Sequence, residues 1–293
     1  MRQLIDDAFL RQLSRLRFIT KGRRQGHLSG THASPRAGVS LEFADYRPYT
    51  PGDDFRYVDW NVYGRLDRIL VKRFVHESDL PIYLLVDFSA SMGIGSPPKA
   101  FYAARLAAAL AYLGLRGLDR VGAYPFSDRL SPSAVPPRHG MRQMSHVLRA
   151  LLDVDPDGET SIDRAVDELL TRTRECGLVI LISDFLTDNG YREGIARLCH
   201  RGDEGIAIQV LDPAELHPTG TGTTELVDVE SKRQTVLTVG RSTLAAYETR
   251  FRQHQEELRA FLLERNIPYF LGTTDRPVVR LIHEDLRRGG VLK

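Results

Sequence analysis

The stretch PIYLLVDFSASMGIG, residues 81–95, decides how this chain is read. An apolar run from Ile82 to Val86 ends at Asp87, and Ser89 and Ser91 follow at alternate positions. A short continuous apolar run bounded by turn residues predicts a strand buried on both faces. One carboxylate and two hydroxyls at its carboxyl end stand where open α/β sheets bind their ligands.

Working outward, the chain alternates between strands and helices. SPPKAFYAARLAAALAYLGLRG reads as a buried helix, with Ser96 placed to cap it and Pro97 at its first position. RVGAYPFSD, GLVILISDF, GIAIQVLD and IPYFLGT read as further strands. Helices are predicted over MRQMSHVLRALLDV, SIDRAVDELLTRTREC, NGYREGIARLCHR, about residues 241–265, and PVVRLIHEDLRR. ELVDVESKRQTVLTV predicts a hairpin near 224–240, turning at Glu230, Ser231 and Lys232. This rhythm predicts, over residues 80–293, a Rossmann-type α/β fold whose mainly parallel sheet has helices on both faces. Residues 1–79 are expected to hold an N-terminal helix, with Leu4, Ile5, Phe9, Leu13 and Leu16 near helical spacing, then a basic arm and a small β-rich element.

The apolar fraction of 42% and charged fraction of 27% are those of a soluble globular protein. No apolar run approaches the roughly 18 residues of a membrane span, so no span is expected, and peripheral membrane contact stays open. Acids and arginines interrupt the N-terminus, so it does not read as a signal peptide. Two cysteines, Cys176 and Cys199, offer no disulfide framework and predict reduced thiols in a cytoplasm. Between Asp7 and Glu42 there is no acid, while Arg11, Arg15, Arg17, Lys21, Arg23, Arg24 and Arg36 are basic. That stretch reads as a solvated basic face; an acidic partner, nucleic acid or anionic lipid are its other readings. No aromatic residues are interleaved as a base-stacking surface requires, so no specific nucleic acid is expected.

Asp184 ends GLVILISD as Asp87 ends its strand, and Gly158-Glu159-Thr160 lies on the loop entering a helix. Two carboxylates and three hydroxyls, from Asp87, Ser89, Ser91, Thr160 and Asp184, are expected on one rim. Hard oxygen donors of this kind suit Mg²⁺ or Mn²⁺ rather than zinc or copper. Each residue also has a plainer role: strand-end acids cap turns, serines cap helices, and Thr160-x-x-Asp163 resembles a capping box. DVDPDGETSIDR opens like a calcium loop but carries Arg164 where a bidentate glutamate belongs, and Pro156 inside it. GIGSPPK lacks the phosphate-binding pattern, so the chain shows no ATPase machinery of its own.

The order D-x-S-x-S, distant Thr160, strand-ending Asp184 resembles the metal-ion-dependent adhesion site of von Willebrand factor A domains. The resemblance implies a von Willebrand A-like fold in which these five residues hold Mg²⁺ or Mn²⁺ and a partner's acidic residue completes the shell. S-D-F stands here in place of the common T-D-G after the fourth core strand. Upstream, EFADYRPYTPGDDFRYVDWNVYGRLDRILVKRF is similar to a segment of the bacterial and archaeal family called domain of unknown function number fifty-eight. The matching positions are Glu42, Phe43, Arg47, Tyr49, Gly52, Asp53, Asp54, Arg56, Asp59, Trp60, Arg65 and Lys72. That family is associated with MoxR-type AAA+ ATPases, which implies a non-enzymatic, chaperone-like role in assembly or maturation beside such an ATPase.

Read from their chemistry, Arg47, Arg56, Asp53, Asp54 and Asp59 would pin the β-rich element by charge-assisted hydrogen bonds, with Trp60 packed nearby; partner binding is the alternative. Two other function classes compete. A haloacid-dehalogenase-type phosphotransferase also uses a strand-ending Asp and Mg²⁺, but Ser89 stands where its acid–base carboxylate belongs. A binder of nucleic acid or anionic lipid through the basic arm would be salt-sensitive and indifferent to Mg²⁺.

Overall fold

The computed structural model describes residues 4–13, 16–19, 41–50, 55, 58–76, 81–187, 190–220, 222–230 and 232–293. The chain divides into two units, one formed by residues 1–20 with 81–293 and the other by 21–80. Helix α1, Asp7–Leu13, buries Phe9 and Leu13. The Arg105 guanidinium lies 4.7 Å from the Phe9 ring centroid. Arg17 and Lys293 exchange backbone hydrogen bonds at 3.0 and 2.9 Å. The first twenty residues therefore belong with the large unit, although the sequence reading groups them in one segment, 1–79, with the basic arm and the β-rich element. Their apolar side needs a core, and the large unit supplies it.

The small unit pairs β1, Leu41–Pro48, antiparallel with β2, Leu70–His76. Between them lies α2, Trp60–Leu66. Asp59 caps this helix, accepting from the amides of Asn61 and Val62.

In the large unit, β3 is Pro81–Asp87, and all seven of its residues are buried. A short 3₁₀ turn, Ala90–Gly93, precedes α3, Lys99–Arg116. Then come β4, Arg120–Phe126, β5, Val135–Arg138, α4, Gln143–Leu152, and α5, Ile162–Arg172. Next are β6, Leu178–Ser183, α6, Arg192–Arg201, and β7, Glu204–Leu211, with the single turn α7, Pro213–Leu216. The hairpin strands are β8, Gly222–Val227, and β9, Gln234–Val239. Helix α8, Arg241–Leu263, β10, Tyr269–Thr273, and the short α9, Val278–Arg280, which runs on as a π-helical segment to Leu286, complete the chain.

Six strands form one sheet in the order β10-β7-β6-β3-β4-β5, all parallel except β5. This is the mainly parallel sheet flanked by helices that the sequence predicts. Successive side chains of β3 point to opposite faces. Tyr83 and Leu85 join a core with residues of α5, α6 and α8, including Val166, Ile195 and Leu258. On the other face α3 closes tightly, since a Cβ on Gly114 would lie 2.8 Å from Ile82 and from Val121. At the strands' amino ends the fit is tighter still, because a Cβ on Gly177 would come 2.2 Å from the Pro81 carbonyl oxygen. No helix among the described residues is long and apolar enough to cross a membrane.

The expected Ser96 cap does not form; α3 starts after Pro98. Ser96 and Pro97 each precede a proline, which keeps both out of the helical region.

Candidate functional site

From β3 the chain moves to β4 on one side and later reaches β6 on the other, so strand order reverses between β3 and β6. A crevice opens at such a switch point beyond the carboxyl ends. Asp87 is the last residue of β3 and Asp184 the first after β6, and both are fully buried. Asp87 Oδ1 accepts the Ser89 amide at 2.9 Å, and its Oδ2 accepts the Ser183 hydroxyl at 2.5 Å. Ser89 Oγ lies 3.1 Å from Ser91 Oγ, and the Ser91 hydroxyl donates to Asp184 Oδ2 at 2.9 Å. Asp87, Ser89, Ser91 and Asp184 are thus joined in one run of hydrogen bonds.

Backbone bonds hold the Thr160 loop on the same rim. Ala90 donates to the Gly158 carbonyl and Asp157 to that of Phe88, each at 2.9 Å, while the Thr187 hydroxyl donates to the Thr160 carbonyl at 2.9 Å. Thr160 makes no capping box with Asp163. Helix α5 is preceded by Ser161, and the Asp163 carboxylate instead accepts the Gly194 amide at 2.6 Å, tying α5 to α6. The fully buried Thr160 side chain turns to a different carboxylate. Its hydroxyl donates to Glu230 Oε1 at 2.8 Å and its amide to Oε2 at 3.1 Å.

Four participants escaped sequence reasoning: Glu230, Ser183, Lys99 and Glu215. Lys99 is the first residue of α3, and its fully buried ammonium lies 2.7 Å from Asp184 Oδ2 and 2.5 Å from Glu215 Oε1. Burial would lower its pKa, but the Asp184 and Glu215 carboxylates outweigh burial and hold it above the usual lysine value. A signal existed. A helix amino terminus disfavours a cation, so a lysine at that position implies an acid supplied from elsewhere.

The departure from T-D-G has a structural account. Phe185 takes the left-handed conformation, with φ of 55°. That costs a non-glycine residue about 1–2 kcal/mol. Its fully buried ring packs edge-on against Tyr191, with centroids 5.9 Å apart.

At the rim the carboxylates of Asp184 and Glu215 share the ammonium of Lys99. No cationic side chain pairs with Asp87 among the described residues. Burial first, and then the Asp184 charge, push the Asp87 carboxyl up to about 7, against the pull of its bonds from Ser183 and Ser89. Two strand-end carboxyl groups beside neutral hydroxyls offer the hard oxygen donors that a divalent cation prefers. No cluster of three or more His, Cys, Asp or Glu suited to a metal occurs among the described residues, so any ion here would lean on hydroxyls.

The upstream motif resolves in part. Besides capping α2, Asp59 accepts the Tyr46 hydroxyl at 2.7 Å. Tyr49 stacks on Phe55 with centroids 5.5 Å apart. Trp60 is not packed as expected: it is 59% exposed and meets the Tyr63 ring edge-on, because α2 buries none of its residues. Gly52, Asp53, Asp54, Arg56 and the side chain of Arg47 lie outside the described residues, as does the basic arm.

Over residues 45–257 the chain matches the family described as "Protein of unknown function DUF58", and it belongs to that family. It is 32% identical over 234 residues to the uncharacterized protein Rv1480 of Mycobacterium tuberculosis, covering 78% of this chain and 73% of that protein. Its Mycobacterium bovis counterpart, Mb1516, matches equally. Among solved structures, a conserved hypothetical protein BatB from Bacteroides thetaiotaomicron is similar at 15% identity, covering 72% of this chain and 98% of that one, with a TM-score of 0.46. Manganese-loaded TRAP protein of Plasmodium vivax is similar over 45% of this chain and 57% of its own, at 24% identity and a TM-score of 0.33. At TM-scores below 0.5 these are loose likenesses, and the account of the site rests on its own geometry.

Proposed function

We propose that this protein is a non-enzymatic interaction module that grips an acidic group of a partner protein through a divalent cation, Mg²⁺ or Mn²⁺, at the β3–β6 switch point. One observation carries the reading: Asp87, Ser89, Ser91 and Asp184 form a single hydrogen-bonded run there, buried except at the half-buried Ser91, with the Thr160 loop held beside it. Asp87, Ser89, Ser91, Thr160 and Asp184 would hold the ion. When bound, the ion would supply a positive, still electrophilic centre for an outside carboxylate. The chain's own residues do the rest. Ser183 and the Ser89 amide aim the Asp87 carboxylate, and Lys99 fixes Asp184.

A phosphotransferase is disfavoured because Ser89, with no acid–base carboxylate of its own, stands two residues beyond Asp87. The family resemblance supports a MoxR-type AAA+ ATPase as the working partner and a cytoplasmic role in protein assembly or maturation.

The test is calorimetric titration of the full chain with Mg²⁺ and Mn²⁺ beside an Asp87→Asn variant, whose amide oxygen can still accept from Ser89. Saturable binding by the wild type, weakened about 10–100-fold or more in the variant, is the expected result. Equal binding by both proteins would sink the proposal.

A further inference from the structure

The site's fifth residue does not face solvent. Thr160 is engaged through both its hydroxyl and its amide by one carboxylate, that of Glu230, seventy residues further along the chain. Paired bonds from a hydroxyl and an amide to an ionised acid are the strong, directional kind. On the adhesion-site reading, on which this inference rests, an incoming partner presents the same chemical group to the same rim.

Glu230 reaches that position from an unusual support. It sits in the turn between β8 and β9, a two-stranded ribbon outside the main sheet. The turn is internally built to hold its shape. Asp228 Oδ1 accepts the Glu230 amide at 2.9 Å, Lys232 donates its amide to the Asp228 carbonyl at 2.9 Å, and the Lys232 ammonium caps the Val229 carbonyl at 2.7 Å. Along the ribbon, by contrast, burial is slight. Leu226, Val227, Val236 and Leu237 are all exposed, from 37% to 68%. An isolated two-stranded ribbon is marginally stable in water, so a ribbon tied at its tip can be released without disturbing the sheet.

We infer that Glu230 is a resident acid that occupies the partner's place: the β8–β9 hairpin is an intramolecular latch on the site, and an acidic partner engages by displacing it. Tethering gives Glu230 a high effective concentration at Thr160, so a free carboxylate competes poorly while the latch is closed. Partner proteins that open the site therefore need an acidic residue together with contacts that hold the hairpin away.

Two measurements on the full chain test this. The first is amide hydrogen exchange of wild type, Glu230→Gln and, as a control for hairpin charge, Glu225→Gln. Residues 222–230 and the 158–161 loop should exchange about tenfold faster in Glu230→Gln and at wild-type rates in Glu225→Gln. The second is fluorescence anisotropy, with Mn²⁺ present, of a labelled synthetic peptide spanning residues 222–239. It should bind the Glu230→Gln chain about tenfold more tightly than the wild type, and the same peptide carrying Gln at position 230 should lose that preference.

Unchanged exchange in Glu230→Gln, or equal peptide binding by both chains, overturns the latch. If Asp87→Asn still abolishes Mn²⁺ binding in that case, the adhesion-site reading survives the loss of the latch. Faster exchange in Glu230→Gln combined with Mn²⁺ binding that ignores Asp87→Asn would mean the reverse. The hairpin contact would then stand as a contact, and its competition with a metal-held partner would be refuted.

Discussion

Strand β3 and the β8–β9 hairpin are both β-structure, yet opposite forces hold them. Every residue of β3 is buried between two parallel neighbours and two helical layers. Along β9 every residue but the last is exposed. The first is fixed by packing and tolerates little change. The second is fixed by its ladder and, at its tip, by the Glu230 carboxylate. A rigid rim beside a lightly held ribbon is what a site needs if its geometry must persist while its occupant changes.

The contrast can be broken most severely at Lys99, where the rigid side depends on charge. Lys99→Met leaves Asp184 and Glu215 without their shared ammonium and should cost about 3–5 kcal/mol in urea unfolding. Mg²⁺ should raise the unfolding midpoint of that variant, because an ion that binds only the folded chain stabilises it by mass action. Next comes a matched pair. Leu85→Ala empties a core position and should cost about 2–5 kcal/mol, whereas Val236→Ala, 68% exposed on the hairpin, should stay within about 0.5 kcal/mol. Equal losses from the two would erase the distinction between core strand and ribbon. Gly177→Ala, which forces a methyl against the Pro81 carbonyl, should cost about 3 kcal/mol by thermal or urea unfolding, the upper end for overpacking, because backbone must move to admit it.

Much of this was legible in the sequence, for a physical reason. The apolar run of β3, the alternation around it, and the strand-end positions of Asp87 and Asp184 are local patterns. So is the spacing of Ser89 and Ser91. What stayed hidden depends on distant pairing. Lys99 meets an acid 85 residues away, Glu230 a threonine 70 away, and Ser183 an aspartate 96 away. Sequence patterns register periodicity, not which distant side chain satisfies a buried charge. Thr160 shows the limit from the other side. Its capping-box spacing was real, but Asp163 found a better donor in the amide of Gly194 on the next helix.

The ammonium of Lys99 has a consequence for the order of events in the life of the chain. In many small metal-binding domains the site assembles only with its ion, and taking up the ion is the same event as folding. Here one of the two strand-end acids, Asp184, has a counter-charge encoded in the chain itself. A newly made molecule can complete its sheet and hold its rim in register before any ion arrives. On the proposed reading, metal supply would govern when the protein becomes able to bind, not whether it folds.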